Sequence, residues 1–170
     1  MRKITVLKAC LDFIYFFGIL TFVFMTLFAG ATWFSADAIP IEINGFEIEM
    51  DHWSSKLLLT LTLVGSGLFL YAIYLLRETI LLFRQRIIFD QRVIHNFNRI
   101  GWCIISATLT SYVPLFIHSL IHRTNRGFRF SATLSTDSFL VSVSLGLLFM
   151  VISQIFAAGK SLKEDQELTV

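Results

Sequence analysis

His118 and His122 stand four residues apart in an apolar run, the spacing that puts two imidazoles on one helical face where they can share a metal ion. Asp137 or the acids between residues 37 and 51 could add an oxygen ligand. No glutamate follows the first histidine, and no third nitrogen or sulfur ligand is near in the sequence. The pair therefore reads as interfacial or hydrogen-bonded histidines, and the expectation is no metal and no cofactor. Asp12 is a carboxylate inside another apolar run, the residue type that marks ion and proton paths in membranes. Lys8 lies one turn away and the end of the run is close, so the expectation is an ion pair with Lys8 at the membrane surface. Cys10 and Cys103 form no C-x-x-C pair and are expected to stay reduced, as small buried hydrophobes. No Ser-His-Asp order, phosphate-cradling glycine loop or pair of buried carboxylates appears, so no enzymatic activity is expected.

These groups must be positioned by a chain of 170 residues that is 55% hydrophobic and only 15% charged, with a mean hydropathy of +0.71. Such a composition belongs to a membrane protein. Apolar blocks at about 9–32, 57–76, 100–121 and 139–158 are each long enough, at about 20 residues, to cross a hydrocarbon layer of about 30 Å. They lack the alternation of barrel strands, so they are expected to be helices. Met1-Arg2-Lys3 before the first block resembles the start of a signal peptide, but the block is too long for one and is read as an uncleaved span.

Lysine and arginine set the orientation, because they are retained on the cytoplasmic side. Ten of the fourteen (Arg2, Lys3, Lys8, Arg77, Arg84, Arg86, Arg92, Arg99, Lys160, Lys163) fall on one side of a four-span layout, against Lys56, Arg123, Arg126 and Arg129 on the other. Both termini are thus expected in the cytoplasm, with outer loops at 33–56 and 122–138, an inner loop at 77–99 and a tail at 159–170. The basic inner surface points to the lipid bilayer itself as a partner and not to nucleic acid, since no recognition element accompanies it.

In the first outer loop, Ile39 to Met50 alternates apolar and acidic residues about Asn44-Gly45, a strong hairpin signal. The turn pairs Ile43 with Phe46, Glu42 with Glu47, Ile41 with Ile48, Pro40 with Glu49 and Ile39 with Met50. A lone hairpin is marginal in water, and Gly127 to Leu134 in the second outer loop also alternates, so a third strand is expected there. Its Arg129 would answer the glutamates, and the sheet would press on helix ends near Trp33 and Trp53. The predicted fold is therefore an all-α, four-transmembrane-helix bundle with a small extracytoplasmic antiparallel β-sheet, made of hairpin 39–50 and strand 127–134.

Along the third span Ser106, Thr110, Pro114, His118 and His122 recur every fourth residue and are expected to look into the bundle. Gly65, Gly67, Ser138, Ser142 and Gly146 thin the second and fourth spans, as packing seams within one chain or between copies in a homo-oligomer. On the inner side Arg77 to Arg86 continues the second helix, and Asp90 caps a helix with Val93, Phe97 and Ile100 on one face.

Phe89-Asp90-Gln91-Arg92-Val93-Ile94-His95-Asn96-Phe97-Asn98-Arg99-Ile100-Gly101 resembles the F…L-x-x-I-G segment that opens the third span in bacterial membrane proteins catalogued as domain of unknown function 2975. The ending, with Phe156 and Gly159 followed by Leu162, Asp165 and Leu168-Thr169-Val170, is similar to that family's tail. Arg92 and Val93 depart from its pattern, which has an acid and an asparagine after the cap. The resemblance implies a four-pass protein of the bacterial inner membrane with no established activity. Its members are often encoded beside a small helix-turn-helix regulator, which implies a soluble partner of that type at the inner face. Phe89, Phe97, Arg99, Asp165, Leu168, Thr169 and Val170 are then the partner-binding candidates. Phe156, Leu162 and Leu168 would pack on the Phe89 to Phe97 segment. The expected function is a regulatory or signalling membrane protein; a small transporter or channel and a structural envelope protein are the alternatives.

Overall fold

The computed structural model describes residues 2–34, 40–43, 46–49, 53–85, 90–121 and 132–168, with side chains for 5–34, 53–85, 90–118 and 138–166. The elements are α1 (Arg2–Phe34), β1 (Pro40–Ile43), β2 (Phe46–Glu49), α2 (Trp53–Arg84), α3 (Gln91–Ile121) and α4 (Ala132–Leu168). All four helices are long and apolar enough to cross a bilayer, so this is a four-pass membrane protein. At 31 to 37 residues each they measure about 46 to 56 Å and outrun a hydrocarbon layer of about 30 Å. Within the spans, several hydroxyls are satisfied by their own helix: Thr26 donates to the Phe22 carbonyl, Thr62 to Leu58 and Thr108 to Ile104. That is what a medium without water requires.

Asp90 starts α3 as its sequence position predicts. Its Oδ1 accepts the Arg92 backbone N–H at 2.8 Å, and its carbonyl accepts the Val93 N–H at 3.1 Å. Pro114 does not interrupt the helix, which runs on to Ile121.

The helices stand antiparallel in chain order, α1 on α2, α2 on α3 and α3 on α4, with no substantial contact between α1 and α4 among the described residues. The bundle is therefore an open row, and the outer faces of α1 and α4 (Phe13, Phe24, Leu140, Leu147) meet lipid. Each seam depends on glycine. Between α1 and α2, large side chains face glycines reciprocally: Leu70 fills the notch at Gly18, and Phe22 lies against Gly67. Between α2 and α3, Gly65 admits Ser111 and the Ala107 backbone; a Cβ there would stand 2.9 Å from the Ala107 carbonyl oxygen. Between α3 and α4, a Cβ on Gly101 would stand 2.6 Å from the Gly146 carbonyl oxygen. Gly65, Gly67 and Gly146 thus serve packing within the chain, where close backbone approach supplies the dispersion contact that replaces hydrophobic driving force in lipid.

The expected outer β-sheet is corrected. Ala132, Thr133 and Leu134, assigned to a third strand, begin helix α4. What is described is only a two-stranded ribbon, β1 with β2, in the register Pro40↔Glu49, Ile41↔Ile48, Glu42↔Glu47 and Ile43↔Phe46. Period two over so short a stretch does not separate a strand from a helix start, and residues 127–131 lie outside the described residues. Ile39, Met50, Arg123, Arg126 and Arg129 lie outside the described residues. At the ribbon's end of the bundle, Trp33 and Trp53 meet edge to face, with ring centroids 5.2 Å apart.

Candidate functional site

At the opposite end from that tryptophan pair, α1 carries Asp12 and α2 carries Arg77. They form an ion pair, Asp12 Oδ1 facing Arg77 Nε, and the guanidinium also lies over the Tyr15 ring at 5.6 Å. This corrects the expected Lys8 partner. The antiparallel seam sets Arg77 one rung from Tyr15 and Tyr74, whose rings are 6.2 Å apart, and packing of its guanidinium on the Tyr15 ring holds it beside Asp12. From Asp12 to Trp33 is about 32 Å along the helix and from Arg77 to Trp53 about 36 Å. The charged pair and the aromatic pair therefore bracket a span of bilayer thickness, and Asp12 is an interfacial residue. Between them a groove of about 480 Å³ opens along the α1–α2 seam, lined by Tyr15, Ile19, Phe22, Leu70, Tyr71 and Tyr74; its apolar walls suit hydrocarbon.

Deeper in this end, α2, α3 and α4 converge on stacked phenylalanines. Phe97 lies almost parallel to Phe156 at 5.4 Å and to Phe149 at 6.0 Å, and Phe83 closes the group at 6.1 Å from Phe97. Val93 and Ile100 complete the buried face of α3. Phe97, named as a partner-binding candidate, is thus a core residue, 6% exposed, and its surface is unavailable to a partner. Phe156 packs on it as expected.

Two polar links tie α4 to α3 here. Ser153 donates to the Ile94 carbonyl at 2.8 Å, and the Lys160 ammonium donates to Gln91 Oε1 at 3.1 Å while pairing with Glu164. Lys160 is level with the first residues of α3, so beyond it α4 has outrun its neighbours. Residues 161 to 166 are exposed on every side, and Leu162 is 65% exposed. The expected packing of Leu162 on the Phe89 to Phe97 segment is corrected for the described residues: Leu162 is exposed, and α2 and α3 end at about the level of Lys160. Asp165 is exposed on the same projection, and Leu168 closes the helix. The side chain of Leu168, together with Phe89, Thr169 and Val170, lies outside the described residues.

The third-span stripe does not form a single face. Four-residue steps gain about 40° each on a helix of 100° per residue, so Ser106 and His118 differ by about 120°. Ser106, Thr110, Pro114 and His118 are half-buried, and the Ser106 hydroxyl bonds its own helix at the Cys103 carbonyl. The α2-facing surface runs instead through Ile100, Ala107, Ser111 and Leu115. His122 lies outside the described residues, and among the described residues no three His, Cys, Asp or Glu side chains converge. Cys10 and Cys103 are free thiols on different helices.

Sequence reasoning missed Asn96. Its side chain is 8% exposed on α3, and its Nδ2 has no hydrogen-bond partner among the described residues. The antiparallel step from Gly65 and its neighbours on α3 sets it level with about Thr79, which is fully buried and donates to the Leu75 carbonyl. An asparagine in a polar-looking helix start reads as surface; only the convergence of three helices buries it.

No curated protein and no solved structure matches the chain significantly. One family model does, over residues 28–170, covering most of α1's outer end and everything after it, with Arg77 inside the match and Asp12 outside. On that extent of match the chain belongs to the family described as proteins of unknown function, DUF2975.

Proposed function

We propose that this protein is a non-enzymatic regulatory or signalling protein of the bacterial inner membrane, with both termini cytoplasmic and a cytosolic partner that docks on the projecting end of α4. The observation that carries the reading is Leu162, an apolar side chain 65% exposed on a helix that has left its neighbours behind, flanked by Lys163 and Asp165. An apolar anchor ringed by charge is the composition of a small helix-docking surface. The orientation rests on the excess of lysine and arginine at the Arg77 and Lys160 end. A soluble helix-turn-helix protein is the partner class this reading names. Transport is the less supported alternative, since Asp12 is engaged by Arg77 and the Ser106 and Thr108 hydroxyls of α3 bond their own helix.

Affinity capture from membranes solubilised in mild detergent tests the proposal. The full chain should retain a soluble protein that a chain lacking residues 161–170 loses, and that Leu162→Asp weakens at least tenfold. Equal recovery with and without the projection would refute it.

A further inference from the structure

The exposed face of α3 runs Arg92, His95, Arg99 and Trp102 at steps of three and four residues, all four turned away from α2 and α4. None of the three basic side chains has an ion-pair partner among the described residues. Arg92 also stands in the first turn of its helix, where the Asp90 cap takes the Arg92 backbone N–H and leaves its guanidinium without an ion-pair partner among the described residues. Two guanidinium groups without an ion-pair partner among the described residues, on one exposed helical face with an imidazole between them, suit an anion from outside the chain.

The depth of the row identifies that anion. The packing of Gly65 against Ala107 and Ser111 sets Trp102 level with about Ala72 and Arg99 with about Leu75 on α2. Counted from the tryptophan pair at Trp53, these levels are about 28 and 33 Å away, on either side of a hydrocarbon thickness of about 30 Å. Trp102, 58% exposed, therefore sits at the edge of the hydrocarbon, Arg99 at its boundary, and His95 and Arg92 among the headgroups. A soluble acidic protein meeting the whole row would have to enter the bilayer to reach Trp102; a lipid is already there.

We infer that this face of α3 is a binding site for an anionic phospholipid, its phosphate held by Arg99 and Arg92 with His95 between them, and its upper acyl segment lying along Trp102. Guanidinium groups suit phosphate through paired N–H donors. The site is independent of the partner surface on α4, which lies beyond the level of Lys160.

Trp102 is its own reporter once Trp33→Phe and Trp53→Phe remove the other two indoles. The full chain in phosphatidylcholine nanodiscs is titrated with phosphatidylglycerol or phosphatidylcholine carrying brominated acyl chains, and quenching is followed. Brominated phosphatidylglycerol should quench at a lower mole fraction, with a preference of up to about fivefold for each arginine. Arg92→Gln with Arg99→Gln should abolish the preference, and Arg99→Lys should keep most of it. Equal quenching by the two lipids, or a preference unchanged in the double glutamine variant, would overturn the site and leave an acidic protein segment as the counterpart of this face. Elution as a single species in size-exclusion chromatography and an unaltered helical spectrum establish that each variant is folded.

Discussion

The hydroxyl of Ser153 on α4 donates to the backbone carbonyl of Ile94 on α3 at 2.8 Å, and one turn further along α4 Phe156 stacks on Phe97. A polar and an aromatic contact thus hold the last shared turns of the two helices before α4 continues alone. Ser153→Ala should cost about 0.5–1.5 kcal/mol, the usual range for an interhelical hydrogen bond in a membrane protein. Phe97→Ala should cost about 3–5 kcal/mol because it opens a cavity among Val93, Ile100, Phe149 and Phe156. Thermal unfolding in detergent, followed by size-exclusion chromatography, orders the two.

The Gly101 and Gly146 backbones approach too closely for a side chain on either. Gly101→Leu should separate α3 from α4 and lower stability well beyond Gly30→Leu, since Gly30 has open space around it. A difference of about 1–3 kcal/mol is expected from the overpacking alone.

Asn96 makes the opposite prediction. Asn96→Leu replaces a buried amide with two methyl groups of similar shape, removes an unsatisfied Nδ2, and should raise stability by about 1–3 kcal/mol. A lower midpoint than the unaltered chain would mean that the amide has a partner when the protein is in its bilayer.

Asp12 and Arg77 should be coupled. Each side chain is about a third exposed, so water screens the pair and its coupling in a double-mutant cycle should be only about 1 kcal/mol. Arg77→Leu alone should destabilise more than Arg77→Leu with Asp12→Leu, because the single change strands a carboxylate at the membrane edge. Lys8→Ala should leave the midpoint within about 0.5 kcal/mol.

What could be read from the sequence was whatever depends on neighbours along the chain. The Asp90 cap, the face of Val93, Phe97 and Ile100, the continuation of α2 to Arg84 and the four spans all follow from local periodicity and turn chemistry. Contacts between helices were not legible. Asp12 had a basic residue one turn away in Lys8, and only the register set by Gly18 against Leu70 and Gly67 against Phe22 brings Arg77 to it instead. The stripe from Ser106 to His118 is not one face because four-residue spacing drifts around the helix. The third strand failed because alternation over a few residues does not distinguish a strand from the approach to a helix. The projection of Leu162 could not be foreseen either, since it depends on where α2 and α3 stop relative to α4.

Photo-crosslinking from the projecting helix shows whether a soluble protein docks there. Benzoylphenylalanine is placed at Leu162 in the full chain in cells, with Val141, a lipid-facing residue of the same helix, as the control position. A docked partner gives a discrete adduct with a soluble protein from position 162 and none from position 141. No protein adduct from position 162, or the same adduct from both positions, would contradict it.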